Sequence, residues 1–206
     1  MILEACVETL EEALKAESMG ASRIELCDDL SVGGITPSYA LLDYVMKRLK
    51  IPIMVMIRPR GGNFVYDSSE LKLMKQSIDV CKSLGVMGVV FGILDNQDLI
   101  DAENTKMLAE YADPLEITFH KAIDDTPDPV HSAEILAKIK GITRILTSGG
   151  KPTALEGADN INKMSKITAG HLKILAAGRI TDKNLEEISG ILKVDEFHGR
   201  KIVGKL

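Results

Sequence analysis

The chain opens Ile2-Leu3-Glu4-Ala5-Cys6-Val7-Glu8-Thr9-Leu10-Glu11-Glu12-Ala13-Leu14-Lys15-Ala16-Glu17-Ser18-Met19-Gly20-Ala21-Ser22-Arg23-Ile24-Glu25-Leu26-Cys27. A short alternating stretch, Ile2–Cys6, has the two-residue period of a strand. Thr9 with Glu12 forms the pair of a capping box, and Leu10, Ala13 and Leu14 then lie on one apolar stripe of a helix. Gly20 supplies the left-handed turn that stops a helix, and Arg23–Cys27 starts a second strand. Strand, capped helix, stop and strand make one βα unit.

That unit recurs along the chain. Further strands are expected near Pro52–Arg58, Gly88–Gly92, Glu116–His120, Arg144–Thr147, Lys173–Ala177 and Asp195–His198. Their starts recur every ~20 to 35 residues, as in an eightfold barrel. Asp67 with Glu70 and Thr153 with Glu156 repeat the capping pair, whereas Thr36-Pro37 and Asp128-Pro129 set a capping oxygen before a first-turn proline. Leu41, Leu42, Val45, Met46 and Leu49 form another helical stripe, and Gly85, Gly141, Gly170 and Gly190 stand where later helices should stop. Leu3-Glu4-Ala5-Cys6 is echoed by Ile24-Glu25-Leu26-Cys27, and Ser22-Arg23-Ile24 by Thr143-Arg144-Ile145. Repetition favours a barrel of like units over a doubly wound open sheet. The expected fold is a TIM-type (β/α)8 barrel forming one domain, residues 1–206. Only Gly199 to Leu206 follow the eighth strand, so the last helix is expected to be shortened or missing. A short turn or a neighbouring subunit must then cover that flank; the subunit, and hence a homo-oligomer, is the preferred expectation.

Composition bounds the function. Hydrophobic residues make up 45% of 206, which excludes a disordered chain, and the absence of Trp leaves the core to aliphatic residues and nine Met. A net charge of −5 argues against nucleic acid as a partner. No apolar run has the length of a membrane span, and Met1-Ile2-Leu3-Glu4 lacks the basic and apolar regions of a signal peptide. Three cysteines, Cys6, Cys27 and Cys81, make no disulfide framework. A cytoplasmic, thiol-reduced protein without membrane contact is expected.

Barrel strands turn apolar residues outward to meet the helices. Leu3, Ala5 and Val7 are thus outward, leaving Glu4 and Cys6 inside. The same alternation turns in Glu25 and Cys27, then Met54, Met56 and Arg58, then Glu116, Thr118 and His120, and finally Glu196 and His198. Buried charges need partners, so Glu4, Glu25 and Arg58 are expected to pair near the mouth with both histidines close by. Glu116, early in its strand, is assigned to a structural salt-bridge layer near the floor. Arg58, His120 and His198 sit at C-terminal strand ends, where barrel active sites form. His131 and His171 are read as surface residues, and Cys81, on the stripe of Leu71, Met74 and Ile78, as core packing.

Four connectors are polar or Gly-rich: Asp28–Pro37, Arg58–Phe64, His120–Asp124 and Thr147–Lys151. Paired glycines beside Arg or Lys suit an anion, and Ser148-Gly149-Gly150 ahead of a helix suits a phosphate or carboxylate. Arg60 is expected to help Arg58 orient a small anionic or polyhydroxylated ligand, and Asp124 to fix the His120 tautomer or bind hydroxyls.

Arg23–Ser38 (RIELCDDLSVGGITPS), Val55–Tyr66 (VMIRPRGGNFVY), Ile117–Pro129 (ITFHKAIDDTPDP), Arg144–Gly150 (RILTSGG) and Glu196–Gly199 (EFHG) resemble the CutC family of copper homeostasis proteins. The blocks run in order through almost the whole chain, each at or after an expected strand. The resemblance implies a cytosolic, often oligomeric β/α barrel associated by name with copper tolerance, and implies no reaction. Two departures stand out. Ala176-Ala177-Gly178-Arg179 replaces a Gly-rich turn after strand seven, so Arg179 itself becomes a candidate anion contact. Gly199-Arg200-Lys201 replaces a small Ser-Ala type tail.

Two functional readings follow. In the first, Cys6 and Cys27 end adjacent strands and hold Cu(I), a soft ion, with Met54 or Met56 as further ligands. In the second, the mouth is an active site. Glu4 and Glu25 then split acid and base roles, His120 or His198 carries protons, and Arg58 orients a sugar-like or anionic substrate for hydrolysis, elimination or isomerisation. A barrel serving only as a scaffold is a third class.

Overall fold

A computed structural model describes all residues, 1–206. Eight parallel strands close on themselves in sequence order: β1 Ile2–Val7, β2 Arg23–Leu26, β3 Ile53–Met56, β4 Gly88–Phe91, β5 Glu116–Phe119, β6 Ile142–Thr147, β7 Lys173–Ala176 and β8 Glu196–Gly199. Seven helices cover them: α1 Leu10–Ser18, α2 Tyr39–Met46, α3 Ser68–Leu84, α4 Ala102–Ala112, α5 Pro129–Leu136, α6 Ala158–Ile167 and α7 Leu185–Ile191. No helix is long and apolar enough to cross a membrane.

Local chemistry accounts for most helix starts. Thr9 accepts from the Glu12 amide at the head of α1, Asp67 and Glu70 close a full capping box on α3, and Asp128 caps α5 just before Pro129. Two expected starts move. Ser38, not Thr36, caps α2, because the Thr36 hydroxyl is used across the loop on the backbone of Arg58. Thr153 does accept from the Glu156 amide, yet α6 begins only at Ala158 after Gly157. Gly20, Gly85, Gly141 and Gly170 have positive φ as helix stops, whereas Gly190 lies within α7.

Outward strand residues and inward helix faces form one apolar shell, in which Ala5, Val7, Ile24, Leu26, Val55, Phe91, Phe119 and Phe197 are buried. Cys81 belongs to this shell, and burial pushes its thiol up to about 12. His131 and His171 are exposed. After β8 the chain makes turns rather than a helix; Thr181 bridges Lys201, and Ile202 is buried against the main core.

Candidate functional site

The barrel lumen holds polar side chains in layers. Near the floor, Arg23 binds Glu4 through Nε and Glu196 through Nη2 (2.6 Å), and Arg144 binds the same Glu196 oxygen through Nε (2.6 Å). Arg144 also reaches Glu116 (3.1 Å) and the Thr118 hydroxyl (3.3 Å). The floor is thus an alternating chain of acids and bases in which each buried charge has an opposite neighbour. Glu116 takes the structural place expected of it. Arg23 and Arg144 were not singled out from sequence, although Arg23 lies two residues before the inward Glu25 on the same strand.

Glu4 links this floor to the mouth. β1 and β8 pair with Glu4 beside His198, and His198 Nδ1 donates to Glu4 Oε1 over 2.8 Å. Burial raises the pKa of Glu4, but His198 and Arg23 outweigh it and bring the carboxyl down to about 2. Burial likewise opposes charge on His198, while Glu25, Cys6 and Glu4 more than compensate and hold its pKa well above the usual value. The other ring nitrogen lies 3.7 Å from Glu25 Oε2. Glu25 is raised well above the carboxylate range, first by burial and then by the neighbouring Cys6 thiolate.

Two thiols complete this chain. Cys6 pairs in register with Glu25, and Cys27 continues β2 two residues higher. Their sulfurs stand 3.9 Å apart, with Cys27 Sγ 3.5 Å from Glu25 Oε2. The hydrogen bond from Cys27, followed by the pull of His198, brings the Cys6 thiol down to about 5 against the effect of burial. Cys27 moves the other way, held protonated first by its bond to Cys6 and then by burial. Met54, Met56 and Val90 pack around both sulfurs.

Arg58 and His120 build a second region. The expected pairing of Arg58 with Glu4 and Glu25 does not occur. Arg58 is only 4% exposed, and its guanidinium bonds the backbone oxygens of Val32, Gly34 and Gly62 instead. No carboxylate lies within ion-pair distance of it; the loops after β2 and β3 curl over the guanidinium and supply carbonyls. Phe64 covers it at 4.7 Å and also packs against the His120 ring at 4.8 Å. His120 Nδ1 accepts from the Ala122 amide, so its proton sits on Nε2, and burial followed by the charge of Arg58 lowers its pKa to about 3. Asp124 therefore does not fix this tautomer; a backbone amide does.

A cavity of about 200 Å³ lies among Cys6, Glu25, Met56, Arg58, His120 and His198. It shares Gly33, Arg58, Phe64 and Lys121 with an outer cleft of about 510 Å³ lined also by Asp124, Ser148 and Lys151. Four expected residues thus line one space: Glu25, Arg58, His120 and His198. Glu4 stands beneath it, bonded to His198.

Three expected ligand contacts are corrected. The Ser148-Gly149-Gly150 turn does form an anion cradle, but the carboxylate of Asp124 fills it, accepting from the amides of Ser148 (2.9 Å) and Gly150 (2.8 Å). The Gly149 amide is taken by Thr147 Oγ1. Arg60 turns to Glu70 at the head of α3 and to the carbonyls of Asn63 and Val65, tying its own loop rather than meeting a ligand. Arg179 has a positive φ of 57° and lines neither mouth space. Lys121, in contrast, was missed. It bonds Asp124 and Ser148 Oγ at 2.5 Å each and lines both spaces; it lies beyond the strand, where alternation gives no direction.

Comparison with known proteins matches this architecture. The family model described as the CutC family covers residues 1–203. A copper homeostasis protein cutC homolog of Homo sapiens is 42% identical over 197 residues, 96% of this chain and 72% of that protein. A family protein CutC of Histophilus somni is 40% identical over 198 residues, covering 96% of this chain and 81% of the relative. The solved structure of a copper homeostasis protein CutC from Streptococcus agalactiae superposes with a TM-score of 0.92 at 34% identity, over 98% of this chain and 99% of that one. The chain belongs to the CutC family.

Proposed function

We propose that this protein acts in copper homeostasis by binding Cu(I) through Cys6 and Cys27 at the mouth of the barrel. The observation that carries the reading is the 3.9 Å separation of two buried sulfurs from adjacent strands. Sulfurs bound to one metal at ~2.3 Å each in tetrahedral geometry lie about 3.8 Å apart, so the pair suits a shared ion without backbone movement. Two thiolates in an apolar setting of Met54 and Met56 select a soft ion. Glu25 lies close enough to join the two cysteines, which makes a harder divalent ion the competitor. The names of the relatives point to copper and to no reaction, so the hydrolase, lyase and isomerase readings are not favoured.

A thiol-reducing cytoplasm would keep both ligands available. A homo-oligomer belongs to the same proposal and is checked by sedimentation over a concentration series; a monomer at every concentration removes it. The metal site is tested by anaerobic titration with Cu(I) and, separately, with Zn(II), against a competing chelator. One equivalent of Cu(I) is expected for the wild type and none for Cys27→Ala. Equal affinity for both proteins, or tighter binding of Zn(II) than of Cu(I), overturns the assignment.

A further inference from the structure

Arg58 is a buried cation with no acidic partner. Its three hydrogen bonds all end on neutral carbonyls, which solvate a guanidinium without neutralising it. Beside it His120 is also buried, and its Nε2 has no hydrogen-bond partner. Arg58 Nε and Glu25 Oε1 are likewise buried and left alone, and all three residues line the same cavity of about 200 Å³. Unpaired buried donors and acceptors are costly, and their concentration around one space points to a ligand that satisfies them.

We propose that this cavity binds a small hydroxycarboxylate, with its carboxylate held by Arg58 and the Nε2–H of His120 and its hydroxyl turned to Glu25. The neutral state of His120, fixed by the Ala122 amide on Nδ1, makes the ring a constant donor rather than a titrating one. Lys121 adds positive charge at the rim. Leu30, Met56, Phe64 and Leu146 form an apolar part of the wall that suits a short aliphatic segment.

Size and charge narrow the class. A cavity of ~150 Å³ takes benzene, so 200 Å³ accommodates about six to eight heavy atoms. Asp124 and Asp125 at the outer cleft repel a phosphate dianion more than a monoanion. This site is distinct in its anchors from the proposed Cu(I) site, although Cys6 and Glu25 border both.

The test is calorimetric titration of the metal-free, reduced full chain with lactate, acetate and inorganic phosphate. Saturable lactate binding is expected, stronger than acetate and with phosphate weaker still. Arg58 also braces two loops, so His120→Asn is the decisive variant; the Asn oxygen replaces Nδ1 as acceptor for Ala122. It should weaken lactate about tenfold or more, the loss of a hydrogen bond to a charged group, while its melting temperature stays near that of the wild type. Absence of saturable lactate binding, phosphate binding tighter than lactate, or a His120→Asn variant that binds like the wild type overturns the inference. The variant Cys27→Ala, whose side chain does not line the cavity, should lose Cu(I) and keep lactate. Loss of lactate in that variant would tie the ligand to the thiols and overturn the separate site, whereas failure of Cu(I) binding alone in the wild type removes only the proposed function.

Discussion

Glu4 and His198 are separated by 194 positions and meet through a 2.8 Å hydrogen bond at the seam where β8 closes onto β1. The same carboxylate binds Arg23, so one side chain ties the floor ion network to the imidazole that borders the thiols.

Removing that carboxylate should be costly. In Glu4→Gln, His198 and Arg23 both lose a buried counter-charge, and a broken buried pair costs about 3 to 5 kcal/mol. Glu116→Gln touches the same network at a site where the carboxylate is 38% exposed, and its expected cost is below ~1 kcal/mol. Urea unfolding of the two variants checks this. Similar costs would show that Glu4 is not the junction the geometry makes it.

Acidification tests His120. Its folded pKa of about 3 lies below the usual value of 6.5, so the unfolded chain takes up a proton that the folded chain refuses. Stability from this group is complete above pH 6.5 and falls as pH drops toward 3, by up to about 1.4 kcal/mol per pH unit. Other groups titrate in the same range, so the readout is the difference between the wild type and His120→Asn. The variant should have the shallower loss on acidification. Parallel stability curves would mean the ring is not held neutral.

The Asp124 carboxylate occupies the backbone cradle that an external anion would use. Asp124→Ala should therefore free the amides of Ser148 and Gly150, at a cost of about 1 to 3 kcal/mol. Added phosphate is expected to shift the amide resonances of these two residues in the variant and leave them unmoved in the wild type. Equal shifts in both proteins would refute the internal-anion interpretation.

Gly92 lies against the His120 ring. A Cβ there would stand 2.5 Å from Nδ1 and 2.6 Å from Cε1, so the ring must move. Gly92→Ala is expected to destabilise by about 1 to 3 kcal/mol and to change the His120 ring resonances. Unaltered ring signals would show that the site tolerates the methyl group and that Gly92 does not set the ring position.

Most of the frame was legible along the chain. The caps at Thr9, Asp67 and Asp128 and the alternation in Ile2–Val7 act over a few residues, so their chemistry can be read where it stands. The same alternation indicated that Glu4, Cys6, Glu25, Met54, His120 and His198 face inward. It could not say which buried groups satisfy one another. Arg58 was expected to meet glutamates and instead found carbonyls, because two loops fold over it. Ser148-Gly149-Gly150 was read as a ligand cradle and holds Asp124, a partner that the loop after β5 brings across.

The sequence by itself therefore determined the number of units, the direction in which strand side chains point and the family, since periodicity, capping and motifs are local. Only the closed barrel decided which charges neutralise each other, that the Cys6 and Cys27 sulfurs stand within 3.9 Å, and that Arg58 and His120 share an unsatisfied cavity. Those outcomes depend on strand register and loop packing across long stretches of chain, where hydrogen-bond and charge partners are chosen by distance in space.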